Sequence, residues 1–124
     1  MNKLTTKIWG KEIPLRIIFE QYNEDPVLSN QIQGLDCFVE EIDKLSEASL
    51  NALKNYCKSN DKSTGENIDN IFAYVKPYAI YVSRNEDVHE IALLCNFKLD
   101  PEHGVALVFR NEKFCKVGPE DIIL

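Results

Sequence analysis

The sequence predicts an α+β domain in which helices cover one face of an antiparallel sheet of about six strands. Residues 4–19 and 78–117 contain segments that alternate apolar and polar residues with period two, which is typical of strands. Residues 35–57 instead repeat apolar residues every three or four positions, which is typical of helices. The chain has 124 residues, a length that fits one domain spanning 1–124.

The first predicted element is a hairpin with strands at 4–8 and 12–19, joined around Gly10. Pro14 lies in the second strand and has no backbone N–H, so a free edge is predicted beside it. Trp9 stands at the turn, where a large ring is expected to cover the end of the core.

Helices are predicted next. A helical turn is expected to start at Pro26, where Asp25 would cap it. The main helix is predicted from one apolar stripe, and Ser46 is expected to be the N-cap of a second helix. The stripe residues are Leu35, Phe38, Val39, Ile42 and Leu45, followed in the second helix by Leu50, Leu53 and Tyr56 or Cys57.

Residues 59–67 are polar and predict an exposed loop. A third, short helix is predicted over 68–75, and Pro77 is expected to stop it. Four strands follow, giving the order β-β-α-α-α-β-β-β-β. They are predicted at 78–83, 91–99, 105–109 and 114–117, with a tight turn at Asn111 and Glu112.

Charge is the most informative functional feature. The net charge is −6, and residues 20–47 hold eight acidic residues against Lys44 alone, a local charge of −7. Nucleic acids and anionic membranes select basic surfaces, so neither is expected as a partner. A basic protein is the expected partner, bound by carboxylates of this segment. The predicted binding residues are Glu24, Asp25, Asp36, Glu40, Glu41, Asp43 and Glu47.

The alternative for these carboxylates is that they form only the solvated face of a helix. A solvated face usually mixes Lys with Glu at i,i+4 spacing, and here only Lys44 does so. Mutual repulsion among the carboxylates is mildly destabilising, so a basic partner that offsets it is the sharper hypothesis.

The cysteines and the chain start indicate a reducing compartment. Cys37, Cys57, Cys95 and Cys115 are scattered without a C-x-x-C pair, so free thiols are expected. The first residues lack a secretory signal pattern, and no apolar run approaches the roughly 20 residues that span a bilayer. A cytoplasmic location is therefore expected. No cofactor is expected either.

One segment could carry chemistry, although no catalytic motif accompanies it. Asp100, Glu102 and His103 lie close together and could hold a metal or support hydrolysis. A turn explains the segment better, because Asp100-Pro101 suits a type I turn and Gly104 suits a left-handed residue. His89 and His103 are expected at opposite ends of one strand, too far apart to share a metal. The chain is therefore predicted not to be an enzyme.

The C-terminal segment shows a family pattern. It consists of Asp100-Pro101-Glu102-His103-Gly104, an apolar strand, Asn111-Glu112-Lys113, and Val117-Gly118-Pro119-Glu120-Asp121-Ile122. It resembles a family of small bacterial domains of unknown function that end in an acidic-E-H-G turn, an N-G-K hairpin and a V-G-x-x-D stretch. Glu112 stands where that pattern favours glycine. The resemblance implies a bacterial origin and this fold, and it implies no activity.

The leading hypothesis is a non-catalytic protein-binding module. Its most specific form is a bacterial immunity or antitoxin protein whose acidic face neutralises a basic toxin such as a nuclease. The rivals are a metal-binding or hydrolytic enzyme centred on Asp100, Glu102 and His103, and a structural or regulatory domain whose acidic face is merely solvated.

Overall fold

In the computed structural model, which describes residues 3–60 and 70–124, a six-stranded sheet carries one long helix. The strands lie in chain order across the sheet. They are β1 Lys3–Ile8, β2 Lys11–Phe19, β3 Val75–Val82, β4 Glu90–Phe97, β5 Val105–Arg110 and β6 Lys113–Gly118, and the helix α1 is Ser29–Asn60. Short 3-10 turns occupy Ile71–Ala73 and Glu120–Ile122.

The predicted α+β class and the six strands are confirmed, but the prediction of a purely antiparallel sheet is wrong. β2 and β3 pair in parallel, with Arg16 opposite Ala79 and Phe19 opposite Val82. All other neighbouring strands are antiparallel. The physical reason is the crossover: α1 carries the chain back along the sheet, so β3 enters from the same end as β2.

α1 replaces the two helices predicted over 35–57. Ser46 is not an N-cap but a buried residue in the helix interior, whose hydroxyl donates to the Asp43 carbonyl at 2.9 Å. The same hydroxyl accepts the Trp9 backbone N–H at 3.3 Å, and the Ser46 carbonyl accepts the indole N–H at 3.0 Å. Ser46 therefore provides hydrogen bonds to Trp9 instead of starting a second helix, and Trp9 covers the core as predicted, only 8% exposed.

The helix also starts later than predicted. It begins at Ser29, and Asp25 does not cap a helix at Pro26. The Gln31 side chain accepts the Leu28 backbone N–H at 2.8 Å, which is the return half of a capping box. The Gln31 amide donates to the carbonyls of Glu20 and Val82, so this buried residue ties the helix start to the ends of β2 and β3.

The predicted third helix over 68–75 is wrong for its described part. Only Ile71–Ala73 forms a 3-10 turn, and β3 begins at Val75. Pro77 lies inside β3 at a register shift, because a bulge accommodates a residue that cannot donate to the ladder. The predicted loop 59–67 lies mostly outside the described residues, and its first two positions belong to α1.

The core lies between α1 and the sheet. Phe38 and Ile42 are buried against it, with Leu35 and Val39 partly buried, which confirms the predicted stripe. A second, smaller cluster on the opposite face is partly covered by Ile122 and Ile123 near the C-terminus.

The β2–β3 ladder is short. It begins at Arg16, beyond Pro14, so no strand pairs with the Pro14 nitrogen on that side. A cleft of about 450 Å³ opens there beside Pro14, Pro77 and Tyr78.

No helix in the described part of the chain is long and apolar enough to cross a membrane.

Candidate functional site

The acidic residues predicted to bind a partner are all exposed, and five of them lie on α1. Asp36, Glu40, Asp43 and Glu47 recur every three or four residues, so they line one side of the helix. We call this line, together with Ile32 one turn before Asp36, the acidic ridge. Glu41 points elsewhere on the helix, and Glu24 and Asp25 lie in the segment that leads into α1.

Within the described residues, the ridge carboxylates make no ion pair. In the described part of the chain, the one ion pair on α1 joins Glu41 to Lys44 at 3.9 Å, a long and exposed contact that leaves the ridge charge uncompensated. Ile32 is 50% exposed, which is unusual for a large apolar residue in this chain. The ridge therefore combines open negative charge with one exposed apolar side chain.

The predicted turn at 100–104 forms, and it brings His103 onto Asp100. His103 Nδ1 lies 3.0 Å from Asp100 Oδ1, and this hydrogen bond raises the pKa of His103 above its usual value. Gly104 has a φ of +63°, the left-handed conformation expected of it. The Gly104 N–H donates to the Asp100 carbonyl at 3.0 Å, which closes the turn. His89 and His103 stand at opposite ends of β4, as predicted.

The structure also assembles a group that sequence reasoning missed. Cys37 of α1, His89 before β4 and Glu112 in the β5–β6 turn each offer a ligand atom, and these atoms lie within 4.8 Å of one another. His89 Nδ1 is 2.8 Å from Glu112 Oε2, and both side chains are largely covered, with exposures of 17% and 29%. We call these three residues the Cys-His-Glu cluster.

Neighbouring residues fix the cluster. Asn111 accepts the His89 backbone N–H at 3.0 Å through its side chain, and its own N–H donates to the His89 carbonyl at 2.8 Å. Gly34, one turn before Cys37, lets α1 lie close to His89. A Cβ at this position would lie only 3.1 Å from the His89 ring. The helix α1, the start of β4 and the β5–β6 turn therefore pack together around His89.

Glu112 holds an unusual backbone conformation. Asn111 and Glu112 have φ values of 48° and 59°, the pair of positive values found in a two-residue type I′ hairpin turn. Asparagine tolerates this conformation, whereas the second position normally favours glycine. A glutamate here is held against its conformational preference, and its carboxylate contacts His89.

A thiol, an imidazole and a carboxylate can act together as metal ligands or as a nucleophile with its base. Burial, with the nearby carboxylates of Glu112, Glu40 and Asp36, raises the pKa of Cys37 above its usual value. An activated nucleophile requires the opposite shift. The surroundings therefore suit a cation better than an unassisted thiolate nucleophile.

One comparison with known proteins gives a match. A family model described as "Domain of unknown function (DUF6985)" matches residues 1–124. No curated protein and no solved structure matches the chain.

Proposed function

Since the chain belongs to the DUF6985 family, whose description states no activity, we propose from the geometry that it is a protein-binding module whose acidic ridge engages a basic protein. The observation that carries this proposal is the open charge of the ridge. Four exposed carboxylates line one side of α1 without an ion pair among the described residues.

Electrostatics support this reading in two ways. Uncompensated negative charge on a rigid helix attracts a cationic partner before contact and raises the association rate. Closely spaced carboxylates also repel one another, and a partner's lysines or arginines would relieve that repulsion. Ile32 adds an apolar contact at the N-terminal end of the ridge, where a partner could exclude water.

The most specific form of the proposal is an immunity or antitoxin protein that neutralises a basic toxin, such as a nuclease. A nuclease presents cations where it binds phosphates, and a helix with regularly spaced carboxylates can occupy that surface in place of the nucleic acid. The proposal involves no catalysis by the chain, and neither nucleic acid nor membrane is its partner.

The test starts from a pull-down out of the native cell lysate at low salt, followed by elution at high salt. For the captured partner, association should slow as salt rises, because the Debye length falls from about 10 Å at 0.1 M to about 3 Å at 1 M. The ridge-directed variant Glu40→Lys, Asp43→Lys, Glu47→Lys should slow association at least about tenfold at low salt, an effect within the range of electrostatic steering. Stopped-flow or surface-binding kinetics measure both effects.

A matched control separates the ridge from total charge. Glu12→Lys, Glu86→Lys, Asp87→Lys changes the net charge equally at exposed positions outside α1 and should leave most of the association rate intact. If the two triple variants behave alike, or if neither salt nor the ridge variant alters the rate, the ridge is only a solvated helix face. Circular dichroism of both variants confirms that the fold is retained.

A further inference from the structure

We propose that the Cys-His-Glu cluster is a binding site for a divalent transition metal of the zinc class. Cys37, His89 and Glu112 come from three separate elements, yet their ligand atoms converge within 4.8 Å of one another. The proposal concerns a different chemistry from that of the acidic ridge and does not depend on the proposed partner, although Cys37 adjoins the ridge residues Asp36 and Glu40.

The ligand types select the class of metal. A thiolate and an imidazole nitrogen are the ligands that Zn²⁺ and similar ions prefer, whereas Mg²⁺ and Ca²⁺ favour sites made of oxygen atoms alone. Ligand atoms around tetrahedral zinc lie about 3–4 Å apart, given bonds of about 2.0–2.3 Å. To enclose an ion, the 2.8 Å hydrogen bond between His89 and Glu112 would open slightly, while the most widely separated ligand atoms would move closer together. Three protein ligands would leave the fourth position to water or another small ligand.

The backbone around the cluster positions the ligands in advance. Asn111 holds the His89 backbone through two hydrogen bonds, which sets the imidazole beside the turn. Gly34 brings α1 close enough for Cys37, one turn later, to reach the same point. A metal site needs such support, because ligands held in place lose little conformational freedom when the ion binds.

The conformation of Glu112 is the strongest sign that the cluster has a role. A turn with φ of 48° and 59° would form more easily with glycine at its second position. Glutamate occupies this position against that preference, and its carboxylate lies 2.8 Å from the His89 ring nitrogen Nδ1. Strain of this kind concentrates at functional sites, where a side chain must be held in one place.

The surroundings also favour a cation. Cys37 lies between Asp36 and Glu40 on α1, and both carboxylates interact electrostatically with its thiol, as Glu112 does. The side chains of His89 and Glu112 are largely covered but not fully buried, with exposures of 17% and 29%. Asp100 and His103, which the sequence offers only as the alternative metal site, lie in an exposed turn at the other end of β4.

Cobalt(II) titration tests the proposal, because a thiolate bound to cobalt gives a charge-transfer band in the near ultraviolet. The full chain, freed of metal with a chelator and kept reduced, should develop this band and saturate at one Co²⁺ per chain. Adding Zn²⁺ should abolish the band by displacement. Cys37→Ser should remove the band, and His89→Ala should weaken Zn²⁺ binding by at least about 100-fold, more than the loss of an outer-shell partner costs.

Two control variants leave the cluster intact. Cys115→Ser removes an exposed thiol of β6, and His103→Ala removes the exposed histidine, so both should bind Co²⁺ like the unmodified chain. A band that survives Cys37→Ser, or that disappears with Cys115→Ser, would overturn the proposal. The absence of a stoichiometric band in the unmodified, folded chain would overturn it as well.

Glu112→Gly separates binding from folding. Glycine relaxes the turn, so this variant should fold without metal at least as well as Glu112→Ala, yet both should weaken Zn²⁺ binding by about tenfold or more. Circular dichroism without metal checks the fold, and competition with a chromophoric chelator gives the affinity. Unchanged Zn²⁺ affinity in both Glu112 variants would exclude this carboxylate and contradict the three-ligand site.

Discussion

Phe38→Ala is expected to lower the free energy of unfolding by about 3–5 kcal/mol, the usual cost of emptying a buried aromatic site. Phe38 is 1% exposed on the face of α1 that packs on the sheet. Its ring centroid lies 5.1 Å from that of Phe109, which in turn lies 5.7 Å from Phe114. Truncation would therefore leave a cavity and break a row of three rings that joins α1 to β5 and β6.

Urea denaturation followed by circular dichroism measures this loss, and Ile32→Ala supplies the control on the same helix. Ile32 is half exposed, so its truncation should change the stability by no more than about 0.5 kcal/mol. Similar losses in the two variants would mean that Phe38 does not anchor α1 to the sheet.

The sequence predicted the strands well because their signals are local. Alternating or continuous apolar residues located five strands closely, and the turn residues located both two-residue hairpin turns, at Trp9-Gly10 and Asn111-Glu112. The strand predicted at 78–83 begins three residues earlier in the structure, at Val75. The difference arose at Pro77, because a proline usually marks the end of a helix. Only the pairing of β3 with β4 shows that a bulge places this proline inside a strand.

The helix errors arose because tertiary contacts override local signals. Ser46 has the side chain of a good N-cap, but its hydroxyl and carbonyl are used by Trp9, which is 37 positions away in the sequence. Likewise, the parallel pairing of β2 and β3 follows from the single long crossover. Three short helices, as predicted, would not have fixed the direction in which the chain returns to the sheet.

The Cys-His-Glu cluster escaped sequence reasoning for a similar reason. The carboxylates nearest to His89 in the sequence are those of Asp87 and Glu90, but neither forms an ion pair with it among the described residues. Its partner is Glu112, which the antiparallel β4–β5–β6 meander brings back to the start of β4. The hairpin register alone would have placed His89 beside Asn111 and Glu112. Placing Cys37 in the cluster requires the position of α1 on the sheet, which local sequence patterns do not give.

The turn at 100–104 gives the second large stability effect. Gly104→Val is expected to cost about 2–5 kcal/mol, because a left-handed conformation disfavours a β-branched residue and the new side chain has no space. At a φ of +63°, even a Cβ would lie 2.6 Å from Glu120 Oε1 and 3.0 Å from the Cys95 carbonyl oxygen. Glu120 cannot move freely, since both its carboxylate oxygens accept from the Tyr78 hydroxyl, at 2.7 and 2.8 Å.

His103→Ala at the adjacent position is the matched comparison. His103 is exposed, and its contacts lie within the turn or involve its backbone, whose carbonyl accepts the Glu120 N–H and is unaffected by the substitution. We therefore expect His103→Ala to change the urea midpoint much less than Gly104→Val. A larger loss for His103→Ala would show that the imidazole, rather than the glycine, holds the turn. Stabilisation of the unmodified chain by added Zn²⁺ that His103→Ala abolishes, while Cys37→Ser keeps it, would move the metal site from the Cys-His-Glu cluster to this turn.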